Sequence, residues 1–396
     1  MYNFLNHFKM IKVGFLLKFT EDYKGGINYF KNLFHALNQY HSDDIEIILF
    51  VPDNLKALYN ELFSPYAKII STKILQRNTL SWAMSRVCDK YFGFDPMVYF
   101  LLRKHRVNCV SHSNYVYPFS DIKTINWVPD FQYLHYPNLW KPNQLKDVYK
   151  VHKNWIDKSD MIVVSSYAAK NDLLSLYPEH KNVEVLHFVS QPEDMKKDNS
   201  DLAIDKIFER KFFYLPNQFW LHKNHMVVFK AIKILKEKNL DIQLITTGSK
   251  NDYRDGGQHF TQLLNYVKEN NLEENIIFLG IVPYSQVFFL MKNSVAIINP
   301  SHFEGWSSSV EESKSLDKII VLSDIPVHRE QNPLKGIYFA PDDENRLAEI
   351  LDLLWKDKFH FNDNAVINSQ QLSLEARTRD FSDRFYNIII KLCNNQ

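Results

Sequence analysis

The sequence predicts an α/β protein made of two parallel-sheet domains. Its 396 residues are more than one ordinary hydrophobic core accommodates. Short apolar runs, each followed by a segment with helical spacing, alternate along both halves of the chain, as strands and crossover helices do. A polar stretch at 191–205 separates the halves and is predicted to be a linker. Parallel sheets of this kind bind ligands at the carboxyl ends of their strands, so we expect a site there.

In the first half, four apolar runs predict strands. They cover 11–17, 45–51, 124–128 and 161–164. Apolar residues at helical spacing predict helices over 28–40 and 168–176. Between the first strand and the first helix, the paired glycines Gly25 and Gly26 predict a tight turn that lets a backbone approach a phosphate closely. A plain turn is the alternative interpretation. The chain has only ten glycines, so the phosphate-binding interpretation of this pair is favoured over a plain turn.

In the second half the same alternation resumes. The predicted strands cover 211–215, 242–248, 275–280, 295–300, 318–322 and 336–339. The predicted helices cover 226–236, 260–269 and 285–291, followed by a short helix after 307 and a final helix over 376–392. The sequence thus predicts a first Rossmann-like domain over 1–195 and a second over 206–375. A C-terminal helix over 376–396 is expected to pack back on the first domain.

Composition excludes several classes of protein. Hydrophobic residues make up 45% and charged residues 23%, as in soluble globular proteins, and a net charge of +1 argues against a nucleic-acid partner. Cys88, Cys109 and Cys393 form no short pairing motif, which favours a reducing compartment. The sequence shows neither an apolar run of about 18 residues nor a signal peptide at its start. We expect a cytoplasmic protein, either free or held peripherally at the inner face of a membrane.

The segment from Ser301 to Glu312 carries the most chemistry. It follows an apolar strand and leads into a helix, whose first backbone N–H groups form an anion site. Glu304 precedes that helix and Glu312 lies within it, so two carboxylates flank the anion site. This arrangement suits a ligand with phosphates at its centre and hydroxyls on either side, as in a nucleotide sugar. Glu312 would accept hydrogen bonds from the ribose hydroxyls, and Glu304 would face the sugar. Alternatively, Glu311 and Glu312 only favour the helix dipole.

The residues around that turn complete the predicted donor site. Gly305 and Trp306 follow Glu304, and Ser307, Ser308 and Ser309 stand where the helix should be capped by their hydroxyls. Lys223 lies in a loop after the strand at 211–215, where its ammonium is suited to offset the charge of a leaving diphosphate. His222 and His225 could be metal ligands, but no third ligand is evident, and packing is favoured.

These motifs together resemble the retaining glycosyltransferases of family 4, which have the GT-B fold of two Rossmann-like domains facing across a cleft. The resemblance extends over most of the chain. It rests on Phe303-Glu304-Gly305, the seven residues between Glu304 and Glu312, Ser323 to Glu330, Gly25-Gly26-Ile27, Val164 to Ala168, Asn275 to Gly280 and Asn299-Pro300-Ser301. It implies that the first domain binds the acceptor and the second the nucleotide sugar. No catalytic metal is expected, and the chain has no Asp-x-Asp triplet, the usual bridge between a metal and a diphosphate.

Three positions depart from the pattern of that family. Gln218 replaces the arginine that many members carry five positions before the lysine, which removes one cation. Pro129 replaces a histidine near the transferred sugar; Asp130 remains beside it, and either Asp130 or His135 is a candidate for the missing role. Asp317 replaces a glycine that ends the helix in a left-handed conformation, which Asp tolerates better than most residues.

The sequence therefore predicts a metal-independent enzyme that transfers a hexose-type sugar with retention. The catalytic residues are expected to be Glu304, Asp130 and Lys223, and no cofactor is expected. The acceptor is expected to be a hydroxyl of a glycan or a polyprenyl-linked glycan in surface polysaccharide assembly. A nucleotide-sugar epimerase of the same fold, or a non-catalytic nucleotide-sugar-binding module, is the alternative. The donor base, sugar and linkage are not encoded in any motif.

Overall fold

The computed structural model describes residues 10–20, 24–116, 119, 121–192, 210–252, 254, 256–361 and 372–393. The chain divides into two compact units. The first comprises Met1–Phe131, Pro142–Phe188 and Glu375–Gln396, and the second comprises Gln132–Lys141 and Val189–Leu374. The segment Gln132–Lys141 thus lies in the second unit, whereas the sequence places it in the first domain. The predicted linker at 191–205 lies almost entirely outside the described residues.

Each unit contains one parallel sheet. The strands of the first are β1 (Ile11–Leu16), β2 (Ile45–Pro52), β3 (Lys68–Thr72), β4 (Cys109–Ser111), β5 (Lys123–Val128), β6 (Met161–Val164) and β7 (Val183–Val185). The strands of the second are β8 (Phe213–Leu215), β9 (Leu244–Thr247), β10 (Ile276–Gly280), β11 (Ile297–Asn299), β12 (Ile320–Ser323) and β13 (Gly336–Phe339). Their spatial orders are β3-β2-β1-β4-β5-β6-β7 and β10-β9-β8-β11-β12-β13. The prediction of two parallel-sheet, Rossmann-like domains is confirmed.

Helices connect the strands. Along the chain they are α1 (Lys24–Tyr40), α2 (Lys56–Phe63), α3 (Leu80–Phe92), α4 (Pro96–Lys104), α5 (Gln132–His135), α6 (Pro142–Lys158), α7 (Tyr167–Leu176), α8 (His225–Glu237), α9 (Gln258–Glu269), α10 (Tyr284–Asn293), α11 (Ser308–Ser315), α12 (Pro326–Gln331), α13 (Glu344–Trp355) and α14 (Leu374–Cys393). Short 3-10 turns cover Asp53–Leu55, Pro137–Leu139 and Leu221–Lys223.

The predicted strands are present with ends moved by at most two residues. β3, β4 and β7 were not predicted, because β4 and β7 are only three residues long and every residue of β3 is at least partly exposed. The turn predicted at Gly25 and Gly26 is wrong in one respect: both glycines already lie in the first turn of α1.

Both faces of the second sheet are covered. On β8, Phe213 and Leu215 enter one core with residues of α8 and α13, while Tyr214 enters the opposite core with Ile297 and Val310. A strand buried on both faces reads as a continuous apolar run, which is why the runs predicted this sheet. Ile297 of β11 pairs with Tyr214 of β8, so the two strands at the centre of the sheet are in register.

The C-terminal helix α14 packs on the first unit, as predicted. Phe385 is fully buried, with its ring centroid 6.3 Å from that of Phe15 on β1. The Ser382 hydroxyl donates to the Ala36 carbonyl oxygen at 3.0 Å, and the His41 ring nitrogen lies 2.8 Å from the Asp383 carboxylate. Apolar burial and two polar contacts therefore hold the end of the chain on α1 and β1.

Replacing Phe385 by alanine should lower the free energy of unfolding by about 3–5 kcal/mol, because it leaves a cavity under α14. Thermal or urea unfolding followed by circular dichroism measures this. Asn387→Ala on the exposed face of the same helix is the matched control and should change stability little. Equal stability of the two variants would contradict the packing described here.

Candidate functional site

The predicted residues of the second unit gather where its strand order reverses. β8 and β11 are neighbours in the sheet, and their crossover connections run to opposite sides, so the loops at their carboxyl ends frame a topological switch point. Asn217 follows β8 and Asn299 ends β11. The Asn217 amide donates to the Asn299 side-chain oxygen at 3.2 Å. This buried hydrogen bond ties the two loops together directly beneath the site.

Lys223 and Glu304 form a buried ion pair across these loops. The lysine ammonium lies 2.7 and 2.8 Å from the two carboxylate oxygens, and the side chains are only 14% and 8% exposed. Lys223 ends the 3-10 turn Leu221–Lys223, which Asn224 terminates in a left-handed conformation, with φ of 53°. The Asn224 amide donates to the carbonyl oxygens of Pro300 and Pro341 at 3.2 and 2.8 Å. Asn224 therefore fixes the turn that presents Lys223.

The Glu304 carboxylate is held in its charged form. Burial alone would raise its pKa, but the Lys223 ammonium and hydrogen bonds from Lys223 and Ser301 keep the pKa below its ordinary value. The Ser301 hydroxyl donates to Oε1 at 2.7 Å and also to the Asn299 side-chain oxygen at 2.7 Å. At neutral pH the pair is therefore a fixed carboxylate beside a fixed ammonium.

The start of α11 differs from the prediction in one respect. Ser307 occupies the N-cap position, but its hydroxyl does not cap the helix. The Asn299 amide donates instead to the hydroxyl oxygens of Ser307 and Ser309, at 2.8 and 3.0 Å. Ser308 is exposed at the first helical position. The serines are thus ordered by Asn299, because its two amide hydrogens reach both hydroxyls from the end of β11.

A second polar side chain holds this turn from the opposite side. Gln331, at the end of α12, accepts from the Ser307 backbone N–H at 3.1 Å and donates to the Ser307 carbonyl oxygen at 2.9 Å. It also donates to Glu311 at 3.1 Å, and the Lys314 ammonium lies 3.0 Å from the same carboxylate oxygen. Glu311 is therefore a structural carboxylate with two donors.

Glu312 has a different environment. It is buried, and the Tyr284 hydroxyl donates to its Oε1 at 2.7 Å. Burial raises the pKa of Glu312 to about 7, although the Tyr284 hydrogen bond favours the charged form. Carboxyl groups with a strongly raised pKa are found preferentially at functional sites, so Glu312 is a candidate ligand-binding residue.

The remaining residues of the loop flank Glu304. Gly305 is half-buried and Trp306 is buried. The exposed His135, on the segment that belongs to the second unit, lies with its ring centroid 5.2 Å from that of Phe303. His135 thus stands beside the Glu304 loop within one unit, a placement that its distance in sequence concealed.

Gln218, which stands where an arginine was expected, serves a structural contact. Its side-chain oxygen accepts from the Ser249 backbone N–H at 2.6 Å. The two loops approach so closely that a Cβ atom on Gly248 would lie 2.4 Å from the Asn217 carbonyl oxygen, and Gly248 has φ of 143°. Only glycine fits this position.

A buried cation that the sequence did not reveal lies on the adjoining loop. Arg254 forms a two-point ion pair with Asp252 at 2.8 Å, donates to Gln132 at 2.7 Å, and stacks 5.2 Å from the Trp220 ring. It therefore packs on the residue three positions before Lys223. Gln132 and Arg254 are 122 positions apart in the chain, and no local pattern connects them.

The two histidines of this region are packing residues. His225 stacks on Phe219 with a centroid distance of 4.5 Å, and burial lowers its pKa to about 3. Burial is the largest cause that lowers the pKa of His222 to about 2, and repulsion from Lys223 is the next largest. In the described part of the chain, no group of three or more His, Cys, Asp or Glu side chains could hold a metal ion.

The predicted residues of the first unit lie at its carboxyl edge. Asp130 is half-buried and follows β5 by two residues. Gly25 is exposed at the start of α1, and a Cβ atom added there would meet nothing within 4 Å. The open surface at Gly25 leaves its backbone accessible, as the prediction requires.

Several residues proposed from the sequence lie close together, and other contacts were not foreseen. Lys223 pairs with Glu304, Ser307 and Ser309 share the Asn299 amide, and Glu312 lies on the helix that follows. Asn299, Asn217, Gln331 and Tyr284 were not assigned a role. The position of Asn299 could have indicated its role. It stands directly at the end of a predicted buried strand, where a polar side chain faces the ligand edge of the sheet.

Residues 180–372, just under half of the chain, match the family model described as Glycosyl transferases group 1. Two curated relatives are the O-antigen chain mannosyltransferase RfbU of Salmonella typhimurium and the O-antigen biosynthesis glycosyltransferase WclY of Escherichia coli. RfbU is 24% identical over 184 residues, 46% of this chain and 47% of that protein. WclY is 25% identical over 188 residues, 46% and 51% of the two chains. The chain spans about half the length of the curated relatives it matches.

Solved structures show the same fold over nearly the whole chain. A glycosyltransferase from Rickettsia africae has a TM-score of 0.64 at 15% identity, covering 98% of this chain and 100% of its own. Anabaena Alr3699/HepE, solved in complex with UDP, has a TM-score of 0.60 at 12% identity, covering 97% and 99%. The lipopolysaccharide outer core galactosyltransferase WaaB has a TM-score of 0.59 at 15% identity, covering 96% of this chain and 99% of its own. The predicted GT-B fold class is therefore confirmed.

Replacing Glu312 by glutamine should remove a pH dependence of stability. Because folding raises the pKa of Glu312 from 4.5 to about 7, its contribution is favourable below pH 4.5 and is lost as the pH rises through 7. A shift of this size corresponds to at most about 3 kcal/mol. Glu312→Gln should therefore nearly match the native protein in stability at pH 4 and exceed it at pH 8, as urea unfolding at both pH values would measure.

Glu311→Gln serves as the neighbouring control. It removes the carboxylate that Lys314 and Gln331 share, and so it should lower stability at pH 8. If the stability of Glu312→Gln relative to the native protein did not rise between pH 4 and pH 8, the unfavourable burial of Glu312 would be refuted.

Proposed function

We propose that this protein is a retaining glycosyltransferase that moves a hexose-type sugar from a nucleotide sugar to a hydroxyl of a glycan or lipid-linked glycan. The buried Lys223–Glu304 pair at the switch point of the second sheet carries the proposal. A fixed ammonium and a fixed carboxylate, next to the start of α11, suit a diphosphate joined to a sugar. The family match over 180–372 and the O-antigen relatives support a role in surface polysaccharide assembly.

The donor is expected to bind through three groups. Lys223 and the backbone N–H groups at the start of α11 offset the diphosphate charge without a resident metal. Glu312 accepts the two ribose hydroxyls, and Glu304 contacts the transferred sugar. That Anabaena Alr3699/HepE has been solved with UDP supports a uridine donor as the first to test.

The reaction is expected to proceed on one face of the sugar. The bond between the anomeric carbon and the diphosphate oxygen breaks, and the acceptor oxygen bonds to that carbon from the same side. The acceptor proton passes to an oxygen of the leaving diphosphate, which Lys223 stabilises as negative charge develops. Asp130 is expected to orient the acceptor hydroxyl. Trapping of a covalent sugar–enzyme adduct would overturn this route.

A thermal-shift screen of UDP-, GDP-, ADP- and dTDP-sugars identifies the donor, and product analysis with EDTA present then tests transfer. The anomeric configuration of the product, read by NMR, tests retention. Incubation with the donor alone separates the alternatives: a new nucleotide sugar would indicate an epimerase, and binding with no product under any condition would indicate a binding module.

Replacing Glu304 by glutamine should reduce transfer by about 10²–10³, because the charge facing the sugar is lost from the transition state. Nucleotide affinity should not fall, because Lys223 remains and no longer shares its ammonium with a carboxylate. Initial rates and calorimetric titration with the nucleoside diphosphate of the best donor measure the two effects. Glu269→Gln, on the exposed end of α9, is the matched control. Transfer at the native rate would exclude Glu304 from the mechanism.

Nucleotide affinity should rise with pH through about 7. The ribose hydroxyls donate to the Glu312 carboxylate, which is protonated below its pKa of about 7. Binding then requires loss of one proton, so affinity should fall by at most about tenfold for each pH unit below that value. Glu312→Gln should show only the titration of the nucleotide phosphate, which is common to both proteins. Identical pH profiles for the two proteins would exclude Glu312 as the ribose ligand.

A further inference from the structure

Helix α3 of the first unit turns its apolar side outward. Leu80, Met84, Val87 and Tyr91 follow each other at intervals of four, three and four residues, which places them on one stripe of the helix. Their exposed fractions are 79%, 52%, 53% and 79%. A surface helix normally buries such a stripe, so α3 has the opposite orientation to that of an ordinary amphipathic helix.

The polar side of α3 is the side that packs against the unit. Ser85 is fully buried, and its hydroxyl donates to the buried Asp95 carboxylate. The Arg86 guanidinium donates to Asp95 at 3.3 Å and to the Tyr115 hydroxyl at 3.1 Å. The Lys18 ammonium, just beyond β1, donates to the same hydroxyl at 3.1 Å. This network fixes the rotation of α3, and with it the outward direction of the apolar stripe.

Aromatic side chains enlarge the apolar surface beside α3. Phe92, Phe100 and Phe119 are 65%, 68% and 45% exposed. Ring contacts join them: Phe94 lies 6.4 Å from Phe92 and 5.4 Å from Phe119, and Phe100 lies 5.5 Å from Tyr99, which contacts Phe94. We call the stripe and these neighbouring rings together the α3 face. Exposed apolar surface of this extent marks an interaction site.

The segment that carries the α3 face is strongly basic. Residues 73–106 include seven Lys and Arg and only two Asp, although the whole chain has a net charge of only +1. The exposed basic residues of the segment are Lys73, Arg77, Lys90, Arg103, Lys104 and Arg106. Arg77 lies three residues before α3 and Lys90 lies in its last turn, whereas Arg103 is paired with Asp121, so exposed positive charge stands at both ends of the apolar stripe.

We propose that the α3 face docks on the surface of an anionic lipid bilayer, with the apolar stripe among the acyl chains and the surrounding Lys and Arg at the phosphates. An apolar stripe bordered by basic residues is the pattern of an interfacial helix. A protein partner fits less well, because lysine is depleted in protein interfaces. In the described part of the chain no helix is long and apolar enough to span a membrane, so this contact is peripheral. It rests on the proposed function only in that it brings the enzyme to a lipid-linked acceptor.

Flotation with vesicles, with neither donor nor acceptor present, tests this contact separately from sugar transfer. The protein should float with vesicles of phosphatidylglycerol and phosphatidylcholine, and at least tenfold less with phosphatidylcholine alone. Met84→Ser combined with Tyr91→Ser should lower flotation at least tenfold, and so should Arg77→Glu combined with Lys90→Glu. All four side chains are on or beside the exposed side of α3, so the fold should be retained, as melting curves would check.

Matched controls change the same chemistry elsewhere. Val151→Ser with Leu353→Ser replaces two other exposed apolar residues, and Lys238→Glu with Lys268→Glu reverses two other exposed charges. Both should leave flotation unchanged. Native flotation by the α3 variants, or equal flotation on neutral and anionic vesicles, would overturn the proposal. So would a dimer, seen by light scattering, that Met84→Ser with Tyr91→Ser dissociates while flotation is unchanged.

Discussion

The ion pair between Lys223 and Glu304 is the interaction on which the second unit's site depends. Two charges removed from water are tolerated only when they are paired and hydrogen-bonded, and removing one partner of such a pair costs about 3–5 kcal/mol. Asn224 holds the lysine turn, and Ser301 holds the carboxylate. The loops after β8 and β11 are therefore constrained to one arrangement. The start of α11 is fixed with them, because the Asn299 amide donates to the Ser307 hydroxyl.

The same pair sets a condition on any anionic ligand. A diphosphate that approaches Lys223 competes with Glu304 for the ammonium, so each new phosphate contact weakens one that the carboxylate already has. When the ammonium moves away from a buried carboxylate, the carboxylate must be stabilised by another hydrogen-bond donor. Sugar hydroxyls are such donors. In the proposed donor complex, phosphate binding at Lys223 would therefore be coupled to sugar binding at Glu304 through the charge balance of this one pair.

The sequence predicted those parts of the fold and site that local patterns encode. Buried strands of the second sheet were found because both of their faces are covered, and Asp317 adopts the left-handed conformation expected of it, with φ of 51°. Glu304 and Glu312 were proposed from their spacing, and both are buried. The amide of Asn299, the Gln331 clamp on Ser307 and the Tyr284 hydroxyl on Glu312 depend on which strands become neighbours in the sheet. That neighbourhood is a property of the strand order, which no short stretch of sequence specifies.

Two features of the structure oppose the usual rule that ionisable groups are exposed and apolar groups are buried. Stability explains neither feature. Glu312 is a buried carboxyl group whose pKa rises to about 7, while its neighbour Glu311 has two donors. Helix α3 exposes an apolar stripe and buries Ser85 and Asp95. Local conflicts of this kind persist in natural proteins where function offsets their cost. In the proposed complexes, hydroxyl donors of the nucleotide would relieve the first conflict and the apolar part of a bilayer would relieve the second, so the chemistry of each feature indicates what it would bind.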